Sequence, residues 1–296
     1  MTVLFLFLLS ILPALILLHI FEKQDKGEKE PRHLKIKVFV FGLVAVFVAG
    51  AVEMWLDSFV QGFQLNHWAY ILILSFVIAG LIEELIKFLV VKRVAYDHHK
   101  FNEVMDGITY AVLASMGFAV LENLIFVMSE GFGVGVMRAV LAVPAHALFS
   151  GIMGFYIGKA KFAKTPWDSR ELLWKGLLIG ILYHGLYDFF LLSGNLLIFA
   201  VVPLMILMMA HLRNLIKHAR HSDKIRKNPP RKFGWKRGLA LIGGVILVMI
   251  GLVWIVGSVS MLMAGEITYT YLLTYGIFPV AMFIGAFFLI KKYAKK

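Results

Sequence analysis

The chain has 296 residues, of which 60% are hydrophobic and 16% charged, with a formal net charge of +12 and no cysteine. A mean hydropathy of +0.82 excludes an ordinary soluble domain, and the apolar stretches recur at membrane-spanning length, so the expected class is an all-α, polytopic transmembrane helix bundle. The positive charge does not point to nucleic acid, because the basic residues punctuate the apolar runs; the missing cysteines exclude disulfides and thiolate ligands, leaving His and carboxylate to hold any metal.

Apolar runs of spanning length appear at 2–21, 38–55, 68–91, 104–128, 139–158, 171–192, 195–212, 238–260 and 271–290, which predicts about nine spans. The first lacks a basic n-region and a small-residue cleavage site and is expected to stay as an anchor. Of the 30 Lys and Arg, 28 fall in the odd-to-even loops or the C-terminal tail; Lys87 lies inside a span and Arg138 at the opposite face. That asymmetry predicts an N-terminus outside and a C-terminus in the cytoplasm. The organisation expected is an anchor span and loop at 1–37, a catalytic membrane core at 38–212, a basic cytoplasmic loop at 213–237 lying on anionic headgroups, and two structural spans at 238–296. The implied localisation is integral and multi-pass; oligomeric state is left open.

The third span carries Leu81-Ile82-Glu83-Glu84-Leu85-Ile86-Lys87-Phe88. An ionisable group at this depth costs at least a few kcal/mol, so it persists where it has a partner and, commonly, a job. Lys87 sits at i+4 from Glu83 and i+3 from Glu84, within reach of either. A buried Glu-Lys pair that locks helix packing is the bland reading; two carboxylates sharing one cation favour function.

In the fourth span, Asp106 is close enough to the helix start to be a dipole-favoured terminal charge, while Glu122 and Asn123 lie well inside. Asn123 alone suits interhelical hydrogen bonding. Gly107, Ala111, Ala114, Ser115 and Gly117 mark a close-packing face, as in a central helix. The fifth and sixth spans bring His146, His184 and Asp188, the last two at i, i+4 on one face, where a carboxylate orients an imidazole or both reach one ion. By contrast Glu53, Glu130, Glu171 and Glu266 read as interfacial, and His98, His99, His211, His218 and His221 as solvated.

Paired carboxylates, a third Glu and two His in a lipid-shielded bundle suit hydrolysis of a peptide bond. Two routes are open: His146, His184 and Glu122 ligate zinc or another divalent ion, with Asp188 as an orienting or fourth group, or the same side chains activate water unaided, with Asn123 steadying the oxyanion. The candidate catalytic set is Glu83, Glu84, Lys87, Glu122, Asn123, His146, His184 and Asp188, with Glu83 as base. A transporter using intramembrane Glu and His ranks second, since polar residues occupy only the third to sixth spans without the symmetry of repeats; a non-catalytic membrane scaffold ranks third. On straight helices the two His and Glu122 would lie about 10 to 14 Å from the outer face and the Glu pair about 22 Å, so one site requires a tilted or broken third span, with Gly80 and Pro144 as candidate points of adjustment.

Glu83-Glu84-x-x-Lys87, then Asp106-Gly107-x-x-Tyr110 through Gly117-Phe118-Ala119 to Glu122-Asn123, then Arg138 ahead of His146-Ala147-Leu148, and His184-Gly185-x-x-Asp188 resemble, in order, the motifs of the PrsW family of intramembrane proteases. The resemblance covers roughly residues 38–212. It implies a metallopeptidase related to the type II CAAX prenyl proteases and their bacterial ABI relatives, acting on a membrane-protein substrate such as a single-pass anti-sigma factor trimmed on its extracytoplasmic side. Two departures stand out: Phe126 replaces the Tyr that usually follows the Glu-Asn motif, and Asp188 stands where the CAAX relatives carry Asn.

Overall fold

A computed structural model describes residues 3–24, 27–194, 196–223, 280–281 and 284–285. Among these the chain is helical throughout its regular structure: α1 (Val3–Gln24), α2 (Arg32–Gln61), α3 (His67–Ile73), a π-helical segment (Leu74–Leu81), α4 (Ile82–Val94), α5 (Val104–Glu130), α6 (Phe132–Val140), α7 (Ala142–Lys161), α8 (Pro166–Leu192), a 3₁₀ turn (Leu196–Ala200) and α9 (Val201–Ser222). Seven helical stretches are long and apolar enough to cross a bilayer, and they coincide with the first seven runs expected from sequence. The expected eighth and ninth spans, and the basic loop beyond Asp223, lie outside the described residues.

Among the described residues two compact units result, one built from 14–122 and 143–223, the other including 3–13 and 123–142. In the first unit α5 is the central element: every residue from Val104 to Val120 is buried. Apolar side chains gain little by leaving lipid for a protein interior, so close backbone approach has to hold such helices together. A Cβ on Gly117 would overlap the Phe39 carbonyl oxygen of α2, and one on Gly107 would overlap the Gly154 carbonyl oxygen of α7. The small face read from sequence is thus used on two sides, by α2 and by α7. Apolar residues point the other way, as in Phe47, Met54, Trp55 and Trp174, each more than half exposed to what would be lipid.

The helix ends are set by local chemistry. Asn66 caps α3 by accepting from the Ala69 N–H, and Thr165 caps α8 by accepting from Asp168, with Pro166 in the first turn. At the start of α5, Asp106 Oδ2 accepts the backbone N–H groups of Asn102 (2.7 Å) and Glu103 (2.8 Å), while Asp223, just past α9, accepts those of Val104 (2.6 Å) and Met105 (2.9 Å). Asp106 therefore serves the helix terminus.

The third span departs from regular α-helix without interruption. Eight residues of π-helix separate α3 from α4, ending at Leu81 directly before Ile82, and Gly80 lies within them. A side chain there would meet Ser75 O at 2.8 Å and both Gly185 N and Ile181 O of α8 at 3.3 Å. The fifth run departs from it as well: α6 stops at Val140, and α7 begins at Ala142 with Pro144 in its first turn. The depth arithmetic asked for a tilted or broken third span, and both candidate positions, Gly80 and Pro144, lie at departures from regular α-helix.

Candidate active site

The π-helical segment resets which face of α4 turns inward, because each wider turn adds residues to the ladder and rotates the helix beyond it. Glu83, Glu84 and Lys87 consequently leave lipid together: Glu83 is 5% exposed, Glu84 and Lys87 not at all. The Lys87 ammonium has three donors and places all of them, at 2.8 Å from Glu83 Oε2, 2.9 Å from Glu84 Oε1 and 3.0 Å from His146 Nδ1. An ammonium only donates, so Nδ1 accepts, and the ring proton of His146 sits on Nε2, which donates to Glu122 Oε2 at 2.9 Å. One chain of polar contacts therefore joins α4, α7 and α5.

From α8, His184 Nδ1 lies 3.1 Å from Glu84 Oε1, and its Nε2 lies 3.2 Å from Asp188 Oδ2 and 3.9 Å from Glu83 Oε2. Both ring nitrogens face carboxylates, the arrangement of a doubly protonated imidazolium. The i, i+4 spacing of His184 and Asp188 thus brings the carboxylate onto the imidazole. Glu84 is saturated by Lys87, His184 and, through its other oxygen, the Ser150 hydroxyl at 3.2 Å. Glu83 is not: among the described residues no hydrogen bond is made to its Oε1.

The ligand trio expected from sequence, His146, His184 and Glu122, divides. Two sets of His and carboxylate ligand atoms lie within 4.8 Å of one another, Glu83 with Glu122 and His146, and Glu83 with Glu84 and His184. The imidazoles fall in different sets, with ring centroids 5.5 Å apart, and Glu83 is common to both.

Other neighbours in this unit go beyond the sequence expectations. Phe149 stacks on His184 at 4.7 Å and stands edge-on to His146 at 5.5 Å. Phe118 lies 4.3 Å from the Lys87 ammonium. Ser150 and Phe149 sit four and three residues beyond His146, a spacing that carried the signal. Glu53, expected at an interface, turns inward: its Oε1 is buried without a hydrogen-bond partner among the described residues, and its electrostatic neighbours include Glu83, Glu122, Lys87 and His184. His211, expected to be solvated, lies 2.9 Å from the Tyr183 hydroxyl.

Of the remaining motif residues, Tyr110 donates to Glu30 near the start of α5, away from the Glu83 cluster. Asn123, Phe126 and Arg138 belong to the other unit. There the Arg138 guanidinium lies 4.0 Å from the Phe126 ring, and the Asn123 amide is buried with neither its oxygen nor its nitrogen partnered among the described residues.

Comparison with known proteins shows which family the chain resembles. The family model described as PrsW family intramembrane metalloprotease matches residues 30–212. The chain is similar to Protease PrsW of Geobacillus kaustophilus, at 39% identity over 184 residues, 62% of this chain and 78% of that one. It is similar to Protease PrsW of Clostridioides difficile, at 35% over 227 residues (74% and 94%), and of Bacillus subtilis, at 34% over 199 residues (67% and 87%). No solved structure matches. The chain belongs to the PrsW family of intramembrane metalloproteases, and is accordingly an integral, multi-pass, all-α membrane enzyme that hydrolyses peptide bonds.

Proposed function

We propose that Glu83 is the general base of this hydrolysis, that Glu84 and Lys87 hold it in place, and that the substrate is a single-pass membrane protein, in the manner of an anti-sigma factor. One observation carries the reading: of the two carboxylates that Lys87 holds, Glu83 keeps an oxygen without a hydrogen bond among the described residues, while its other oxygen is fixed by an ammonium that also fixes Glu84 and His146.

The donors fit a divalent cation. Four carboxylates, Glu83, Glu84, Glu122 and Asp188, stand against one ammonium and one imidazolium, leaving two negative charges in a lipid-shielded site. Carboxylate and imidazole are ligands that zinc accepts, and the set of Glu83, Glu122 and His146 supports holding it. Such an ion, when bound, makes a coordinated water more acidic and polarises a carbonyl.

The chain's own groups account for the proton traffic. Glu83 takes a proton from water as the water oxygen bonds to the scissile carbonyl carbon. His184, held by Glu84 and Asp188, supplies positive charge beside the developing oxyanion and a proton to the departing amine as the C–N bond breaks. Phe118 and Phe149 wall the site with apolar surface and keep bulk water from screening these charges.

The test is cleavage of a single-pass substrate by Glu83→Gln in protein that melts like wild type. Loss of a general base lowers turnover about 10²- to 10⁴-fold; near-wild-type turnover removes Glu83 from the role. Elemental analysis of active enzyme and cleavage after prolonged chelation decide the ion: well under one metal per chain with activity retained puts the unaided glutamate-histidine route in its place.

A further inference from the structure

Away from the catalytic cluster, a cavity of about 640 Å3 lies where the end of α1 meets the start of α2, lined by His19, Lys23, Lys29, Arg32, Lys35 and the floor residue Thr109, with three glutamates. The glutamates are committed. Glu22 pairs with Lys35, Glu30 accepts from Tyr110, and Glu28 accepts from Lys100 and Asn102, which hold its carboxyl below the usual range. Lys23, Lys29 and Arg32 have no anionic partner among the described residues.

The start of α2 adds a second, independent signal. This 30-residue helix has no side-chain cap and no acidic residue in its first turn. Its first turn reads Arg32-His33-Leu34-Lys35, placing cations at the end of the dipole that repels them; Leu34 and Lys35 donate their N–H groups to the Pro31 carbonyl oxygen, while those of Arg32 and His33 have no acceptor among the described residues. An anion seated there satisfies the N–H groups, the dipole and the three uncommitted cations together.

We propose that this cavity binds the phosphate headgroup of an anionic phospholipid. The site lies at the ends of two membrane-spanning helices, where a headgroup resides, and an apolar track leads away from it. Ile36 and Val40 follow Arg32 at intervals of four on α2, and Leu15 and Ile16 precede His19 by about one turn on α1; all four are exposed, at 63%, 46%, 47% and 46%. Acyl chains lie against such tracks while the phosphate meets the cations. This is a discrete site, separate from any general attraction of the basic residues after Arg213 to a membrane.

Short-chain phosphatidylglycerol titrated into the full-length protein in neutral detergent, read by the rise in melting temperature, tests the assignment. Wild type and Lys164→Gln/Lys217→Gln, which removes two exposed charges elsewhere, are expected to show the same saturating shift, while Lys29→Gln/Arg32→Gln weakens the apparent affinity about tenfold or more. The single variant Lys23→Gln is expected to weaken it in the same direction and stands in if the double variant does not fold. Equal affinity in the two double variants overturns the proposal, as does an equal shift with phosphatidylcholine. Inorganic phosphate producing the full shift at matching concentration also overturns it, by assigning the cavity to free phosphate.

Discussion

Removing the Lys87 ammonium is the most direct challenge to this reading of the core. In Lys87→Met the side chain keeps its approximate length and its contact with Phe118, but three hydrogen bonds of 2.8, 2.9 and 3.0 Å vanish. Glu83 and Glu84 then remain at 5% and 0% exposure on the inner face of a 13-residue helix, with no ammonium between them. Breaking a buried pair by deleting one partner costs about 3–5 kcal/mol, a large share of a typical stability of about 5–15 kcal/mol. Reversible unfolding in mixed micelles of wild type, Lys87→Met, Glu84→Gln and the double variant measures this. Once Glu84 is neutral, less uncompensated charge remains, so the double variant should be more stable than the two single losses predict, by about 1–3 kcal/mol. Cleavage should be lost in Lys87→Met, because the oxygen of Glu83 that Lys87 held is free to turn. A Lys87→Met protein within about 0.5 kcal/mol of wild type, or additive losses in the cycle, would refute the idea that this ammonium anchors the site.

Other consequences arise from the packing and from the charge pattern. Gly154→Val should unfold or mispack the protein, with a loss above about 3 kcal/mol, because its Cβ would overlap the Gly107 carbonyl oxygen and both backbones would have to part; thermal melting against Gly50→Ala, where nothing lies within 4 Å, is the comparison. Thr165→Ala, which removes the cap of α8, should cost only about 1 kcal/mol. The chain has no cysteine, so a single Cys at Ser222 gives a clean label, expected to react only from the cytoplasmic side; labelling from outside the cell would reverse the orientation inferred from the basic loops.

The helices themselves were legible because lipid is an unforgiving solvent: a run of about 20 apolar residues has few alternatives, and the first seven runs coincide with described helices. The small face of α5 was legible for a related reason, since without hydrophobic drive between helices a stripe of Gly, Ala and Ser is where backbones meet. A tilted or broken third span was required by depth arithmetic, with Gly80 and Pro144 as candidate positions, yet its form was not. Leu74–Leu81 carries no proline and reads as good apolar helix, so nothing local announces a π-helix there. The stretch is wedged against α8, where Gly185 leaves room for the Phe76 ring, and it is this tertiary packing that the single sequence does not display.

The partners of the charged groups show the same division between local and distant information. Lys87 with Glu83 and Glu84, and His184 with Asp188, are fixed by i+3 and i+4 spacing alone and are met in the structure. Contacts between helices depend on rotation, which composition leaves free. Sequence reasoning joins the two imidazoles because they are the same kind of ligand; the helices instead give His146 to Glu122 and His184 to Glu84, and Glu83 stands between the pairs. A place near a span end suggests an interface for Glu53, although α2 continues to Gln61 and so carries that residue more than a turn inside. Glu53 therefore borders the cluster without being counted in its charge, and the surplus of Glu83, Glu84, Glu122 and Asp188 over Lys87 and His184 is what leaves a demand for a further cation.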